Sequence, residues 1–326
     1  MELFDSLKAK ITGKDTRIVF PEGNEPRIIG AAVRLAAEGL LVPVLLGNEA
    51  EIKEVAAQRG FSVDNLEVIN PETYSEFDAM VTAFVARRKG KATEEQARTI
   101  LKDVNYFGTM LTYMGLTDGM VSGAVHSTGD TVRPALQIIK TKPGVSRTSG
   151  AFIMLRGRDN EKYLFSDCAI NVNPNAQELA EIAVESAKTA ELFDIEPKVA
   201  MLSFSTKGSA KAEEATKVEE ATKIAQELAP EYEIDGELQF DAAYVASVGQ
   251  QKAPDSKVAG QATVFVFPEL QSGNIGYKIA QRFGNFEAIG PILQGLNKPI
   301  SDLSRGSNEE DVYKLAIITS AQALMN

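Results

Sequence analysis

RIVFPEGNEPRIIGAAVRLAAEGLLVPVLLGNEAEIKEVAAQRG, residues 17–60, carries the pattern that decides the fold. RIVFPEG (17–23) is an apolar, β-branched run that ends in turn residues. PRIIGAAVRLAAEG (26–39) follows with apolar residues at helical spacing and a closing glycine. LVPVLLG (41–47) reads as a second strand, and residues 48–60 as a helix that Asn48 caps. Two strands separated by a helix imply a parallel crossover unit, because parallel strands cannot be joined by a tight turn.

The alternation continues along the chain. LEVI (66–69) and DGMVSGAV (118–125) read as strands, and residues 76–115 as mainly helical with breaks near Gly90 and Gly108. DTVRPALQIIK (130–140) opens a helix. Residues 151–167 read as a hairpin turning at Asp159 and Asn160. An amphipathic helix is expected over 175–193, with Leu179, Ile182, Ala183 and Ala190 on its apolar face. Strands over 198–204, 232–238, 262–270 and 286–293 and helices over 211–229 and 308–324 complete the reading, about ten strands in all. The N-terminal residues suggest a short surface helix. That number of strands predicts an α/β fold of two α/β domains with a cleft between them, their sheets mainly parallel and flanked by helices. A closed eight-stranded barrel is disfavoured by the hairpin, since barrel units are strictly parallel. TKPGVSRTSG (141–150) and GLNKP (295–299) are the candidate crossings between domains.

Composition removes several function classes. The formal net charge is −11, which repels nucleic acid at long range. No run of about 18 apolar residues suggests a membrane span, and the N-terminus lacks the pattern of a secretory signal. Cys168 is the only cysteine and His126 the only histidine, which disfavours disulfides and a multi-histidine zinc site and suits the cytoplasm. Walker, dinucleotide-binding and nucleophile-elbow motifs are missing. An NAD-linked decarboxylating dehydrogenase is disfavoured on the same ground.

Two segments suit anions. SGAVHSTGDTVRP (122–134) joins a strand to a helix. Ser127, Thr128 and Gly129 there offer hydroxyls and free backbone N–H groups, and Arg133 a bidentate guanidinium. Asp130 or Thr131 would cap this helix, with Pro134 in its first turn. The same residues also describe an ordinary helix start, and His126 reads as a structural histidine. SDLSRGSNEEDV (301–312) holds Ser307 and Glu310 at capping-box spacing. Ser304 and Arg305 precede that cap, and Asp311 lies about one turn inside. A well-capped surface helix is the plainer alternative.

Together these segments resemble the phosphate acetyl/butyryltransferase family over essentially the whole chain. The resemblance rests on FPEG (20–23), VHSTGDTVRPALQIIKTKPGVSR (125–147), FSDCAINVNP (165–174), DGELQFDAA (235–243), GNIGYKIAQR (273–282) and SDLSRGS (301–307). It implies homodimers of two-domain chains, with residues 1–141 plus 297–326 forming the first domain and 142–296 the second. It implies reversible acetyl transfer between coenzyme A and phosphate, by direct attack of the coenzyme A thiolate in a ternary complex. Asp311 is implied as the base, Ser304 and Arg305 as positioning and charge-stabilising groups, and Arg133, Thr128, Ser127 and Arg87 as substrate- or phosphate-binding residues. Coenzyme A and acetyl-CoA are substrates in this scheme, with no permanently bound cofactor and no metal; partners are small molecules, not nucleic acid or membrane. Butyryl transfer by the same chemistry and a non-catalytic acyl-phosphate-binding regulator are the alternatives. Cys168 is read as a buried residue and not as a nucleophile.

Overall fold

The computed structural model describes residues 2–157 and 161–325. The expected hairpin turn at Asp159 and Asn160 lies outside the described residues. The chain divides into two compact units, one of Leu3–Lys140 with the stretch from Leu296 onward, the other Thr141–Gly295.

The first unit opens with α1 (Leu3–Ile11), β1 (Arg17–Phe20), α2 (Pro26–Ala37), β2 (Val42–Leu46), α3 (Glu49–Gln58) and β3 (Glu67–Ile69). It continues through α4 (Phe77–Arg88), α5 (Glu94–Ile100), α6 (Val104–Tyr113), β4 (Gly119–Ser122) and α7 (Thr128–Pro134). Asn48 caps α3 as expected, accepting from the N–H groups of Ala50 and Glu51. Helix α1 buries Leu3, Leu7 and Ile11, one face at four-residue spacing. The helical stretch 76–115 does not break at Gly108. That residue sits inside α6, where an added Cβ would lie 3.0 Å from the Met120 sulfur and 3.1 Å from Pro21. The break falls earlier, where Asp103 caps α6.

Helix α7 also departs from expectation. Its cap is Ser127, not Asp130 or Thr131, so Pro134 stands at the seventh residue and not in the first turn. A proline there removes an internal hydrogen bond, and the helix relaxes into a single π-helical stretch over Ala135–Ile139.

The second unit contains β5 (Ser149–Arg156), β6 (Glu161–Ser166), α8 (Ala176–Leu192), β7 (Lys198–Leu202), α9 (Glu213–Leu228) and β8 (Glu233–Leu238). It ends with α10 (Phe240–Tyr244), α11 (Ala246–Lys252), β9 (Val264–Val266), α12 (Leu270–Phe283) and β10 (Glu287–Gln294). Its sheet order is β10-β5-β6-β9-β7-β8. Strand β5 runs antiparallel to β6 and β10, and the remaining pairs are parallel. Leu179, Ile182, Ala183 and Ala190 of α8 are buried, as the periodicity predicts. Phe152, Phe165, Phe265 and Leu238 belong to the core of this unit.

The chain then returns to the first unit with β11 (Ile300–Asp302) and α13 (Glu309–Ala323). Strand β11 completes a five-stranded parallel sheet of order β11-β4-β1-β2-β3. Helix α13 packs against α1, α2 and β4. It buries Val312, Ile317 and Ile318, and bonds the sheet through Ser301 and Thr319 at 2.6 Å.

The sheet order reverses between β1 and β4. From β1 the chain builds outward to β2 and β3, then crosses to the other side of β1 for β4. Ligand sites in open α/β sheets gather beyond the carboxyl ends of strands at such a switch. The β1–α2 turn at this point is tightly packed. A Cβ on Gly23 would stand 2.3 Å from the backbone oxygen of Leu46. Gly23→Ala is therefore expected to destabilise the fold by roughly 1–3 kcal/mol, read as a lowered urea midpoint with unchanged slope.

Candidate active site

Strands β4 and β11 are parallel neighbours, with Met120 beside Ile300, Val121 beside Ser301 and Ser122 beside Asp302. Their carboxyl ends are therefore level, and the loops 123–127 and 303–308 leave the sheet side by side. The Leu303 N–H donates to the Ser122 carbonyl at 2.7 Å, extending the pairing by one step. Gly123 begins the first loop at φ +111°, and a Cβ there would stand 2.6 Å from both the Asp302 carboxylate and the Leu303 carbonyl. Only glycine lets the two loops approach so closely.

Both loops lead into helices closed by the same device. Ser127 Oγ accepts from the Asp130 N–H at 3.3 Å, and Asp130 Oδ2 accepts from the Ser127 N–H at 3.2 Å. Asn308 Oδ1 accepts from the Asp311 N–H, and Asp311 Oδ2 from the Asn308 N–H, both at 2.9 Å. The second capping box is thus Asn308–Asp311, one residue beyond the Ser307–Glu310 spacing expected from the sequence. Asparagine is as good a cap as serine, so a one-residue shift costs nothing locally. Ser307 turns inward, where its hydroxyl accepts from the Ser304 N–H at 3.2 Å, and Glu310 pairs with Arg34. The Ser304 hydroxyl accepts from the Gly306 N–H at 3.2 Å.

These boxes alter the expected anion chemistry. Each box occupies two backbone N–H groups, those of Ser127 and Asp130 before α7 and those of Asn308 and Asp311 before α13, so the Ser127 N–H, expected to be free, is partnered. Arg133 and Arg305 are exposed, and neither guanidinium forms an ion pair among the described residues. Ser127, Thr128, Ser304 and Asp311 are exposed around them. The strand pairing brings together the loops that bear Ser127, Ser304 and Arg305 and that lead into α7, with Thr128 and Arg133, and α13, with Asp311.

Arg87 stands elsewhere in the same unit. Its guanidinium donates to the carbonyls of Ile138 at 2.6 Å and Ile139 at 3.1 Å, closing the π-helical stretch. It faces the ring of Tyr113 at 4.9 Å. Like-charge repulsion from Arg87, then burial, then repulsion from Lys89, Lys91 and Arg88 lower the pKa of Lys140. Arg87 is therefore the centre of a five-residue basic cluster.

Two buried carboxyl groups escape the sequence reading. Glu22 accepts hydrogen bonds from four successive N–H groups, those of Gly123, Ala124, Val125 and His126, at 2.8–3.1 Å. It also lies 2.7 Å from His126 Nδ1. His126 thus serves the loop, in keeping with its structural reading. Asp302 ends β11, and burial pushes its carboxyl up to about 6. The Thr128 and Thr131 hydroxyls oppose that shift, while Glu22 adds to it. Neither Asp302 Oδ1 nor the Thr131 hydroxyl completes a hydrogen bond among the described residues. The acidic residue in FPEG is the available signal for Glu22; nothing in SDL distinguishes Asp302 from a surface aspartate.

In the second unit Cys168 is fully buried, and burial followed by the charge of Asp167 pushes its thiol well above the usual range. A thiol so held is a poor nucleophile.

The profile of the phosphate acetyl/butaryl transferase family matches residues 2–320. The chain belongs to this family of acyltransferases. Among individual relatives, the phosphate acetyltransferase of Bacillus subtilis (strain 168) is 63% identical over 323 residues, covering 99% of both chains. A phosphotransacetylase structure from Streptococcus pyogenes is 64% identical, with a TM-score of 0.98 over 99% of this chain and 98% of that one. The EutD phosphotransacetylase of Staphylococcus aureus gives 58% identity and a TM-score of 0.94 over 98% of both.

Asp302 supplies a pH-dependent prediction. Its folded value lies above that of an unfolded carboxyl, so the folded protein holds the extra proton between about pH 4 and 6. The contribution of this group to stability therefore falls as pH rises through that window. Asp302→Asn is expected to gain roughly 3 kcal/mol relative to the parent between pH 4 and pH 8, measured by urea unfolding. A pH-independent difference would show that Asp302 is not the titrating group.

Proposed function

We propose that this chain catalyses reversible acetyl transfer between acetyl-CoA and inorganic phosphate, in a ternary complex and without an acyl-enzyme. The observation that supports the site assignment is the level pairing of β4 with β11, from which the loops leading into α7, which carries Arg133, and into α13, which carries Asp311, leave the sheet side by side, Arg305 lying in the second loop. Relatives named for acetyl transfer, at about 60% identity over full length, favour acetyl over butyryl as the acyl group.

In the direction of acetyl-CoA synthesis, Asp311 takes the proton of the coenzyme A thiol. The thiolate attacks the carbonyl carbon of acetyl phosphate, and the carbonyl oxygen becomes an oxyanion. Collapse breaks the bond between the carbonyl carbon and the bridging oxygen, and phosphate leaves with that oxygen and the electron pair. The capping bond fixes Asp311 through Oδ2 and leaves Oδ1 outside the box. A free carboxylate near pKa 3.9 is mismatched to a thiol near 8.5 by about 4.6 units, or about 6 kcal/mol. Arg305 and Arg133 favour the thiolate form of the bound coenzyme A and so narrow the gap. Arg305 and Ser304 stabilise the oxyanion and orient the acyl phosphate. Arg133, Ser127 and Thr128 hold phosphate oxygens. The basic cluster around Arg87 suits a further anionic group of the nucleotide part of coenzyme A.

The buried Cys168 supports direct transfer over a covalent intermediate. A single buried cysteine also suits a cytoplasmic enzyme. We infer a homodimer, supported by Ile275, Ile279 and Phe283, an exposed apolar row at four-residue spacing on α12 whose last member is 85% exposed. A sedimentation mass near twice 35.2 kDa is expected, and a monomer at micromolar concentration would reject it.

Thioester formation from coenzyme A is expected with acetyl phosphate and much less with butyryl phosphate. Arg305→Ala is expected to lower kcat by about 10²–10³, and Asp311→Asn by at least as much, in the same absorbance assay. Losses below about tenfold would remove Arg305 from oxyanion stabilisation and Asp311 from proton abstraction.

A further inference from the structure

Arg27, just after the β1–α2 turn, has no role in the scheme above, yet it contacts both loops of the site. Arg27, in the first turn of α2, spreads its guanidinium across them. Nη1 donates to the Arg305 carbonyl at 3.0 Å and to the Ser307 carbonyl at 2.6 Å. Nη2 donates to the Ala124 carbonyl at 2.9 Å. Nε donates to Glu25 at 2.7 Å, which anchors the plane of the group to its own turn. The Glu25 carboxylate also caps α2 by accepting from the Arg27 N–H. One planar group thus fixes backbone atoms of the loop before α7 and of the loop before α13, and is itself held by the Glu25 carboxylate in the turn after β1.

Glu22 works on the same loop from the same turn. Its four N–H bonds hold Gly123 to His126 in one shape, and Arg27 then ties that shape to residues 305–307. The carbonyl that Arg27 grips at 305 belongs to the residue whose side chain is assigned to the oxyanion. A shift of that carbonyl moves the guanidinium with it.

The geometry points to Arg27 as a positioning residue for the transfer reaction, acting through the backbone of Arg305 and Ser307 and through Ala124. This rests on the assignment of Arg305 above. The rigid, forked geometry is the essential property: three carbonyls on two loops lie in reach of two nitrogens of one plane. A lysine ammonium is a single point charge and cannot reproduce the arrangement. Side-chain exposure of 28% leaves the group partly open, so its bonds are not simply those of a core residue.

The test measures kcat, KM for coenzyme A and thermal midpoint for Arg27→Ala, Arg27→Lys, Arg305→Ala and the double variant Arg27→Ala/Arg305→Ala. Arg27→Ala is expected to lower kcat by about 10²-fold, with KM for coenzyme A within about threefold. Arg27→Lys is expected to lose nearly as much while melting close to the parent, so it carries the test should the alanine variant not fold. In the Arg305→Ala background, removing Arg27 is expected to cost less than about threefold, because the group it positions is gone. A near-normal kcat in Arg27→Lys would overturn the proposal, as would losses that multiply in the double variant. If Arg305→Ala itself is harmless, the site assignment fails instead, and the two failures are distinguished by that single variant.

Discussion

Strands β4 and β11 come from distant parts of the chain, 119–122 and 300–302, and pair in parallel with their ends level. Parallel register fixes where both following loops begin, because each strand is fully committed to its neighbour's backbone. Everything distinctive in the first unit follows from this pairing. The loops emerge together, Gly123 permits their close approach, and both run into helices closed by a side-chain and carboxylate box. A slip of one residue would turn Asp302 out of its buried position.

The charge arrangement around these loops is divided by depth. Carboxylates are buried or bonded to backbone N–H groups, as at Glu22, Asp130 and Asp311. Guanidinium groups of Arg133 and Arg305 face outward. A protein of net charge −11 thereby presents local cations to anionic substrates, while its acids hold the frame. Glu22 is the clearest case. Buried at the point where the strand order reverses, it occupies the N–H groups that could have received a phosphate.

Much of this is legible in the sequence. Strong local patterns define β1, α2, β2, α3 and α8 to within a residue or two, since each combines periodicity with a cap or a turn. Strand β11 has no such pattern. It has three residues, and of these only Ile300 is apolar, so its identity comes from pairing with β4 and not from local preference. Helices α10 to α12 likewise do not emerge from the sequence as elements. The residues of the two anion-suited segments do emerge, but the caps expected for them differ from the observed ones by one residue at Asn308 and by three or four at Ser127. Several residues near each start can cap, and only tertiary packing selects among them. Arg27 and Glu22 reach the two loops through contacts about 100 or more residues away in sequence. No local pattern carries such information.

The central claim is that the starts of α7 and α13 form a single anion site. A crystal structure of the enzyme with inorganic phosphate bound tests it most directly. The account predicts phosphate between the two loops, with oxygens on the Arg133 and Arg305 guanidinium groups. Phosphate bound reproducibly elsewhere, with both arginines unengaged, would contradict it.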